Sequence, residues 1–428
     1  MLPALPKIRD LRGSVLPALP KIRDLDDPAY DPMNVDDLLF GTHDDPYPAF
    51  HDMRARGPVH PISFRTAMGL TDKIFAGRPA FCVVGYDEVS KVLVDPATFS
   101  NKAYLENIGQ TFGESITTMD APEHTRWRRI FQKIFLPQYV TQWGSTIVDP
   151  VVDKLMGGFL PDGHADLVKQ FTLLYPFHVI YEQLALPKAD VETFHKLAIA
   201  QTDYYHLDMA SEASEKLGAY FRELIAARRA APGDDLISRL ALTEVDGEYL
   251  PESVLVSFLR QLMNAAGDTT YRGTSVLLTA LLENPDQLEA IRADRSLIPA
   301  AIEEALRWDG PVGMQTRLST VDTELGGTHI PAGSLVCVIA AAANRDPATW
   351  PNPDKFDVFR AKKPHFSFAR GPHMCVGQHL ARVEMARALH AVLDRLPELR
   401  LDPEKPRPQV RGAMMRVPEH IHVRFRPT

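Results

Sequence analysis

The sequence predicts a mainly α-helical fold with a small β region, an α+β arrangement, and three observations support it. Long segments such as DLVKQFTLLYPFHVIYEQLAL (residues 166–186) and the run from residue 251 to about 283 carry apolar residues at helical spacing. Strand signals are short and gathered in two places, residues 78–93 and 327–346. At 428 residues and 45% hydrophobic, the chain has apolar material for two domains or one unusually large one.

From the N-terminus onward, LPALPKIRDL occurs at residues 2–11 and again at 16–25. A repeat this local reads as a cloning duplication or, failing that, a short recognition tail. Residues 1–25 are therefore set apart as a tail without function, and 26–428 are taken as a single functional domain. RPAFCVVGYDEVSKVL (residues 78–93) reads as a strand, a turn at Gly85 and a helix. In MDAPEHTRWRRIFQKIF (residues 119–135) Asp120 is a candidate N-cap with Glu123 three residues on, the form of a capping box. His124 and Arg128 then share a helical face; they either grip an anion or make a wet basic surface.

In the segment from residue 251, Thr269 shares a helical face with Leu262, Ala265, Ala266, Gly273 and Val276, a stripe that is small at its centre. Gly267 costs about 1 kcal/mol relative to Ala in a helix, and Asp268 and Thr269 compete for backbone hydrogen bonds. Local rules broken together point to function. Either something flat approaches the helix here, or another helix crosses it tightly. In AAIEEALRWDG (residues 300–310), Glu304 and Arg307 are close enough to pair, ordinarily as a surface pair. GTHIPAGSLVCVIAAAANRD (residues 327–346) reads as a turn over 331–333 and a buried strand too uniformly apolar to alternate.

HFSFARGPHMCVGQHLAR (residues 365–382) places Cys375 just before Gly377 and a helix with Val376, Leu380, Val383, Ala386 and Leu389 on its apolar positions. A sulfur at a helix N-terminus meets unpaired N–H groups and the positive end of the dipole, which favour thiolate. The glycines let a planar ligand approach the backbone. A lone Cys is ordinarily an inert core thiol, but these surroundings are loop-like and polar.

Composition argues against several function classes. Forty-seven basic against 55 acidic residues give a net charge of −8, and no block of five or more basic residues marks a nucleic-acid arm. Cys82, Cys337 and Cys375 are far apart, odd in number and without a CxxC pair, which argues against a disulfide framework or a cysteine zinc site. No apolar run reaches the roughly 18 residues of a membrane span and no secretory leader is evident, so a soluble, cytoplasmic protein is expected. There is no dinucleotide fingerprint and no phosphate-binding loop, so electrons from a nicotinamide cofactor would have to arrive through another protein.

These residues resemble the cytochrome P-450 family of haem-thiolate monooxygenases in its soluble bacterial form, from about residue 46 to the C-terminus. Phe368, Gly371, His373, Cys375 and Gly377 match the cysteine-loop pattern Phe-x-x-Gly-x-His-x-Cys-x-Gly, and Glu304 with Arg307 the Glu-x-x-Arg pattern. The resemblance implies the cytochrome P-450 fold, with haem b sandwiched between a long distal helix and a proximal Cys-loop helix. It implies Cys375 as axial ligand of the iron, Asp268 and Thr269 as the acid and alcohol that activate O2, and Arg360 as third member of a structural triad with Glu304 and Arg307. Haem contacts would come from His124, Arg128, Arg317 and His373 at the propionates, and from Phe368, Gly377 and Ala265. Where the family often has Ala-Gly or Gly-Gly, this chain has Ala265 and Ala266, which adds a methyl group near the oxygen site.

The same resemblance implies insertion of one oxygen atom into a small to medium apolar substrate, by hydroxylation or epoxidation. The two electrons would come from a separate ferredoxin and its NAD(P)H-dependent reductase. The pocket would be lined by residues 101–118, by Asn264 and Ala265, by Gly313 and Met314 within 312–315, and by Met414 and Met415 within 413–415. Tyr204, Tyr205 and His206 would be either lid residues or surface aromatics, and Arg126, Arg129, Lys133 and Arg370 would form the ferredoxin patch. A monomer without nucleic-acid or membrane partners is expected. Two other readings stay open: a peroxide-using haem-thiolate peroxygenase, against which the Asp268 and Thr269 pair argues, and a non-catalytic haem-binding sensor, for which no output domain is visible.

Overall fold

The computed structural model describes residues 42–71, 77–186, 191–202 and 207–428, together with two short strands, Ile8–Arg9 and Val15–Leu16, that pair antiparallel. The rest of the duplicated tail, and Tyr204, Tyr205 and His206, lie outside the described residues. In chain order, the strands that frame the site are β1 (Val59–His60), β2 (Ala80–Val83), β3 (Phe99–Ser100), β4 (His164–Asp166), β5 (Gln315–Ser319), β6 (Leu335–Val338), β7 (Arg400–Leu401) and β8 (His422–Arg424). Among the helices are α1 (Tyr86–Val94), α2 (Glu123–Ile134), α3 (Tyr175–Leu184), α4 (Val191–Ala200), α5 (Leu207–Ala230), α6 (Glu252–Glu283), α7 (Ile298–Asp309) and α8 (Gln378–Arg395).

The uniformly apolar strand is β6, the centre of a five-stranded sheet ordered β1-β2-β6-β5-β3. It runs parallel to β2 and antiparallel to β5, and all four of its residues are buried. Phe81, Val83, Val336 and Val338 enter one apolar cluster, and Cys82, Val84, Cys337 and Ile339 enter another. A strand covered on both faces has no polar side to alternate with. The turn that feeds it has Gly333 at φ 80°, a conformation glycine adopts without strain. A second sheet, ordered β7-β8-β4, joins the C-terminal strand to the strand that precedes α3.

At α2 the expected cap is not the one formed. Pro122, not Asp120, occupies the N-cap position, and it has no side-chain acceptor to offer. The Asp120 carboxylate instead accepts hydrogen bonds from the Ser100 hydroxyl and, at 3.1 Å, from the Asn101 N–H. It therefore ties the end of β3 to the start of α2.

The long helix α6 runs unbroken for 32 residues and packs against α3, α4, α5, α7 and α8. Its residues of low helix propensity are accommodated individually. Thr269 donates its hydroxyl to the Ala265 carbonyl at 2.9 Å, and Asp268 pairs with Arg272 one turn on. Gly267 is explained by a neighbouring ring, since a Cβ there would lie 2.4 Å from Phe177 of α3. Gly267→Ala is expected to lower the thermal midpoint despite its gain of about 1 kcal/mol in helix propensity, because overpacking costs about 1–3 kcal/mol. At Gly273 the nearest atom to a new Cβ is Met385 at 3.5 Å, so Gly273→Ala should raise the midpoint. Calorimetry of the two variants checks both signs. Among the described residues no helix is long and apolar enough to cross a membrane.

Candidate functional site

Cys375 is held by a loop whose backbone admits few alternatives. Gly371 sits at φ 72°, and a Cβ there would lie 2.5 Å from the Leu93 carbonyl oxygen, so the loop packs directly onto the end of α1. The Cys375 N–H donates to the Phe368 carbonyl at 2.9 Å, and the Arg382 guanidinium lies 4.3 Å over the Phe368 ring. Gly377 is the N-cap of α8, so the sulfur stands beside the start of that helix. Cys82 and Cys337 are buried, whereas Cys375 keeps accessible surface.

Desolvation by the surrounding protein nevertheless raises the pKa of the Cys375 thiol. The N–H groups of Gly377 and Gln378 and the guanidinia of Arg128 and Arg382 pull the other way and do not outweigh it. The helix start acts in the expected direction, but it does not make a free thiolate by itself. A sulfur so placed loses its proton readily only to a ligating cation.

Beside it, His124 and Arg128 of α2, Arg317 of β5 and His373 of the Cys375 loop converge. The two imidazole rings lie 3.9 Å apart at 34°, and Arg128 donates to the Met374 carbonyl. Burial, then Arg128, lowers the His124 pKa to about 4, with Asp120 opposing. Burial, then His124, Arg317 and Arg128, lowers that of His373 to about 3. Burial also lowers the Arg317 pKa, against the influence of Tyr104 and Asp120. The Nε2 atoms of both histidines are buried without a hydrogen-bond partner. Two orphaned donors or acceptors among two arginines form a place for an anion with several oxygens.

In the middle of α6, Ala265 is exposed and Asn264 and Thr269 are partly so, while Leu262, Met263, Gly267, Asp268 and Thr270 are buried. The helix thus opens one small-residue face to the site. Asp268 does not reach bulk solvent: it is 4% exposed and its Oδ2 accepts from Arg272 Nε at 3.0 Å. Its Oδ1 is buried without a partner. The other end of Arg272 donates to the Met415 carbonyl at 3.0 Å. Neither Arg272 nor His195 of α4 was expected here, although the spacing of four from Asp268 could have signalled Arg272.

His195 stacks on Phe177 at 3.2 Å, and burial, then Arg272 and Lys196, lowers its pKa from 6.5 to about 3. Between those two values the unfolded chain binds a proton that the folded one refuses. The stability associated with neutral His195 is therefore intact above about pH 6.5 and declines as pH falls, by about 1.4 kcal/mol per unit for one full proton. His195→Phe should flatten the loss of thermal midpoint between about pH 6.5 and 5, measured against the parent.

Behind the loop, Glu304 accepts from Arg307 at 2.7 and 2.8 Å and from Arg360 at 3.0 and 3.2 Å, and also from the Asp357 N–H at 2.9 Å. Arg307 also donates to the carbonyls of Asn344 and Pro353. The Asn344 side chain in turn holds the Phe366 N–H and the Ser367 hydroxyl, at the root of the Cys375 loop. A pair that its spacing alone would place at the surface is buried, because Arg360 and the backbone carbonyls of Asn344, Pro353 and Lys355 close over it.

The remaining predicted positions divide. Gly313 donates to the Met414 carbonyl at 2.7 Å, and Val312 bridges to Met415, so the two pocket segments form one edge. Met314 is a member of the sheet-side apolar core, with Met414 packed against it. The loop from Asn101 to Thr118 is pinned to α6 by Gln261, which bonds Ser115 at 2.8 Å and Thr117 at 2.7 Å. In the basic patch, Arg126 is paired with Glu248 at 2.6 Å and Arg370 donates to Ser90 at 2.8 Å. Arg129 and Lys133 line a groove that also holds Glu244 and Asp246.

The chain and its fold have known relatives. Residues 194–425 match the family profile described as Cytochrome P450. The chain is 35% identical over 384 residues to cytochrome P450 monooxygenase PikC of Streptomyces venezuelae, covering 86% of this chain and 89% of that protein. The structure is similar to that of cytochrome P450 CYP109Q5 from Chondromyces apiculatus, with a TM-score of 0.79, 29% identity and coverage of 93% and 97%. It is also similar to the myxobacterial cytochrome P450 CYP267B1, solved in complex with myristic acid, with a TM-score of 0.80, 30% identity and coverage of 91% and 99%.

Proposed function

The chain belongs to the cytochrome P450 family and is a monooxygenase using haem iron and O2, and on that premise we propose that it binds haem b through Cys375 and oxygenates a small to medium apolar substrate. The observation that carries this reading is the pair of orphaned imidazole nitrogens of His124 and His373 set between Arg128 and Arg317, beside the one accessible cysteine. Two propionates would satisfy that cluster, and iron would provide the cation that the Cys375 sulfur lacks. Ala265 and Gly377 would face the ring, and Phe368 would cover the sulfur.

When bound, the haem supplies O2 activation and oxidation of the substrate carbon. The chain supplies positioning and protons. Thr269 holds a proton at Oγ1, given to the Ala265 carbonyl in this structure and available to the open face of α6 by rotation about χ1. Asp268 holds the next proton position at Oδ1, and Arg272 keeps the carboxylate oriented. Thr269→Ala should keep electron consumption while diverting it to peroxide; unchanged peroxide release with intact product yield would refute the role.

Asn264, Gly313, Met414 and Met415 would touch substrate, and flexible thioethers beside small residues suit an apolar molecule without fixing its shape. The complex of CYP267B1 with myristic acid supports an aliphatic chain as the first probe. Two electrons would come from a separate ferredoxin and its NAD(P)H-dependent reductase, docking near Arg126, Arg129, Lys133 and Arg370. The working unit would be a cytoplasmic monomer formed by residues 26–428. The test is the spectrum of the reduced protein under carbon monoxide, then titration of the ferric protein with myristic acid and other apolar compounds. A strongly red-shifted Soret band and a ligand-induced spin shift are expected. A band typical of histidine ligation would overturn the assignment of Cys375.

A further inference from the structure

We propose that Asp166, His420 and His422 form a binding site for a divalent transition-metal ion, Zn2+ foremost, that clips the C-terminal strand to β4. None of the three belongs to α2, α6 or the Cys375 loop, so the site is separate from the one described above. One ligand atom from each lies within 4.8 Å of the other two. They are the only such group among the described residues.

Each ligand is positioned by the backbone. In the antiparallel pairing of β8 with β4, His422 stands directly opposite Asp166, so their side chains share one face of the sheet. His420 precedes His422 by two residues and projects to the same side; the rings lie 5.1 Å apart at 12°, nearly parallel. Asp166 Oδ1 is fixed by the N–H groups of Val168 at 3.0 Å and Ile421 at 3.1 Å. That leaves Oδ2 aimed at His420 Nδ1, 2.6 Å away.

Two imidazoles and one carboxylate are the ligand set that late first-row divalent ions favour. Around a tetrahedral ion with bonds of about 2.1 Å, ligand atoms sit about 3.4 Å apart, so side-chain rotation alone closes the set. The ion would take the place of the proton shared by His420 and Asp166. The His420 side chain is 43% exposed and that of Asp166 13%, which leaves an entry path from solvent. Glu419, whose Oε1 is 3.5 Å from His420 Nε2, adds negative charge at the rim. The neighbouring cation Arg424 is engaged with Asp402 at 3.0 Å and with Glu404.

The experiment uses the full chain with haem bound, so that Cys375 cannot take the metal, stripped with a chelator and titrated with Zn2+ in a calorimeter. One equivalent should bind, and saturation should raise the thermal midpoint by mass action. His422→Ala and His420→Gln should each weaken binding by about tenfold or more and abolish the rise in midpoint. His420 lies outside the strand, so its variant tests the site even if His422→Ala fails to fold. Absence of uptake, or equal uptake by His420→Gln through others of the 15 histidines, would overturn the proposal.

Discussion

Cys375→His is expected to abolish monooxygenase turnover while the fold and a measurable haem content survive. The cluster of His124, Arg128, Arg317 and His373 does not depend on the sulfur, so on the proposed reading the propionates would keep their partners. What disappears is electron donation by thiolate, which favours O–O cleavage and which a neutral imidazole does not reproduce. The variant should lose the red-shifted Soret band under carbon monoxide and acquire that of a histidine-ligated haem. Retained turnover together with a shifted band would show that another group ligates the iron.

Glu304→Gln is expected to be the most damaging substitution away from the haem, costing about 3–5 kcal/mol by leaving buried charge uncompensated. The amide keeps the size of the carboxylate, but the guanidinia of Arg307 and Arg360 then face no anion, and the Asn344 and Ser367 contacts that root the Cys375 loop loosen with them. A lowered thermal midpoint and a lower haem-loaded fraction should appear together. Asp394→Asn breaks an exposed pair with Arg295 and serves as the comparison, with at most about 1 kcal/mol expected. Equal effects of the two would remove the argument for a buried network.

What could be read from sequence was local. The apolar run at Leu335–Val338, the turn at Gly333 and the helix after Gly377 depend on neighbours a few residues away, and the structure has them. Asp120 is a counterexample: its spacing to Glu123 has the form of a capping box, yet its carboxylate serves Ser100 and Asn101, partners no local pattern reveals. Gly267 stood out only as a costly residue in a helix that either a flat ligand or a crossing helix approaches, and at that position it is the Phe177 ring of α3 that approaches. The spacing of Glu304 and Arg307 taken alone gives only an ordinary surface pair, because the groups that bury them arrive from residues 344–360. His195 and the cluster of Asp166 with His420 leave no trace in sequence, the latter joining residues 254 positions apart. Long-range electrostatics, unlike periodicity, has no sequence spacing to betray it.

Arg272 binds Asp268 with one nitrogen and the Met415 carbonyl with another. A molecule that enters beside Met414 and Met415 and shifts that carbonyl also shifts the partner of the buried carboxylate. One guanidinium thus spans the buried carboxylate of α6 and the Met414–Met415 edge, so any displacement of that edge is felt at Asp268.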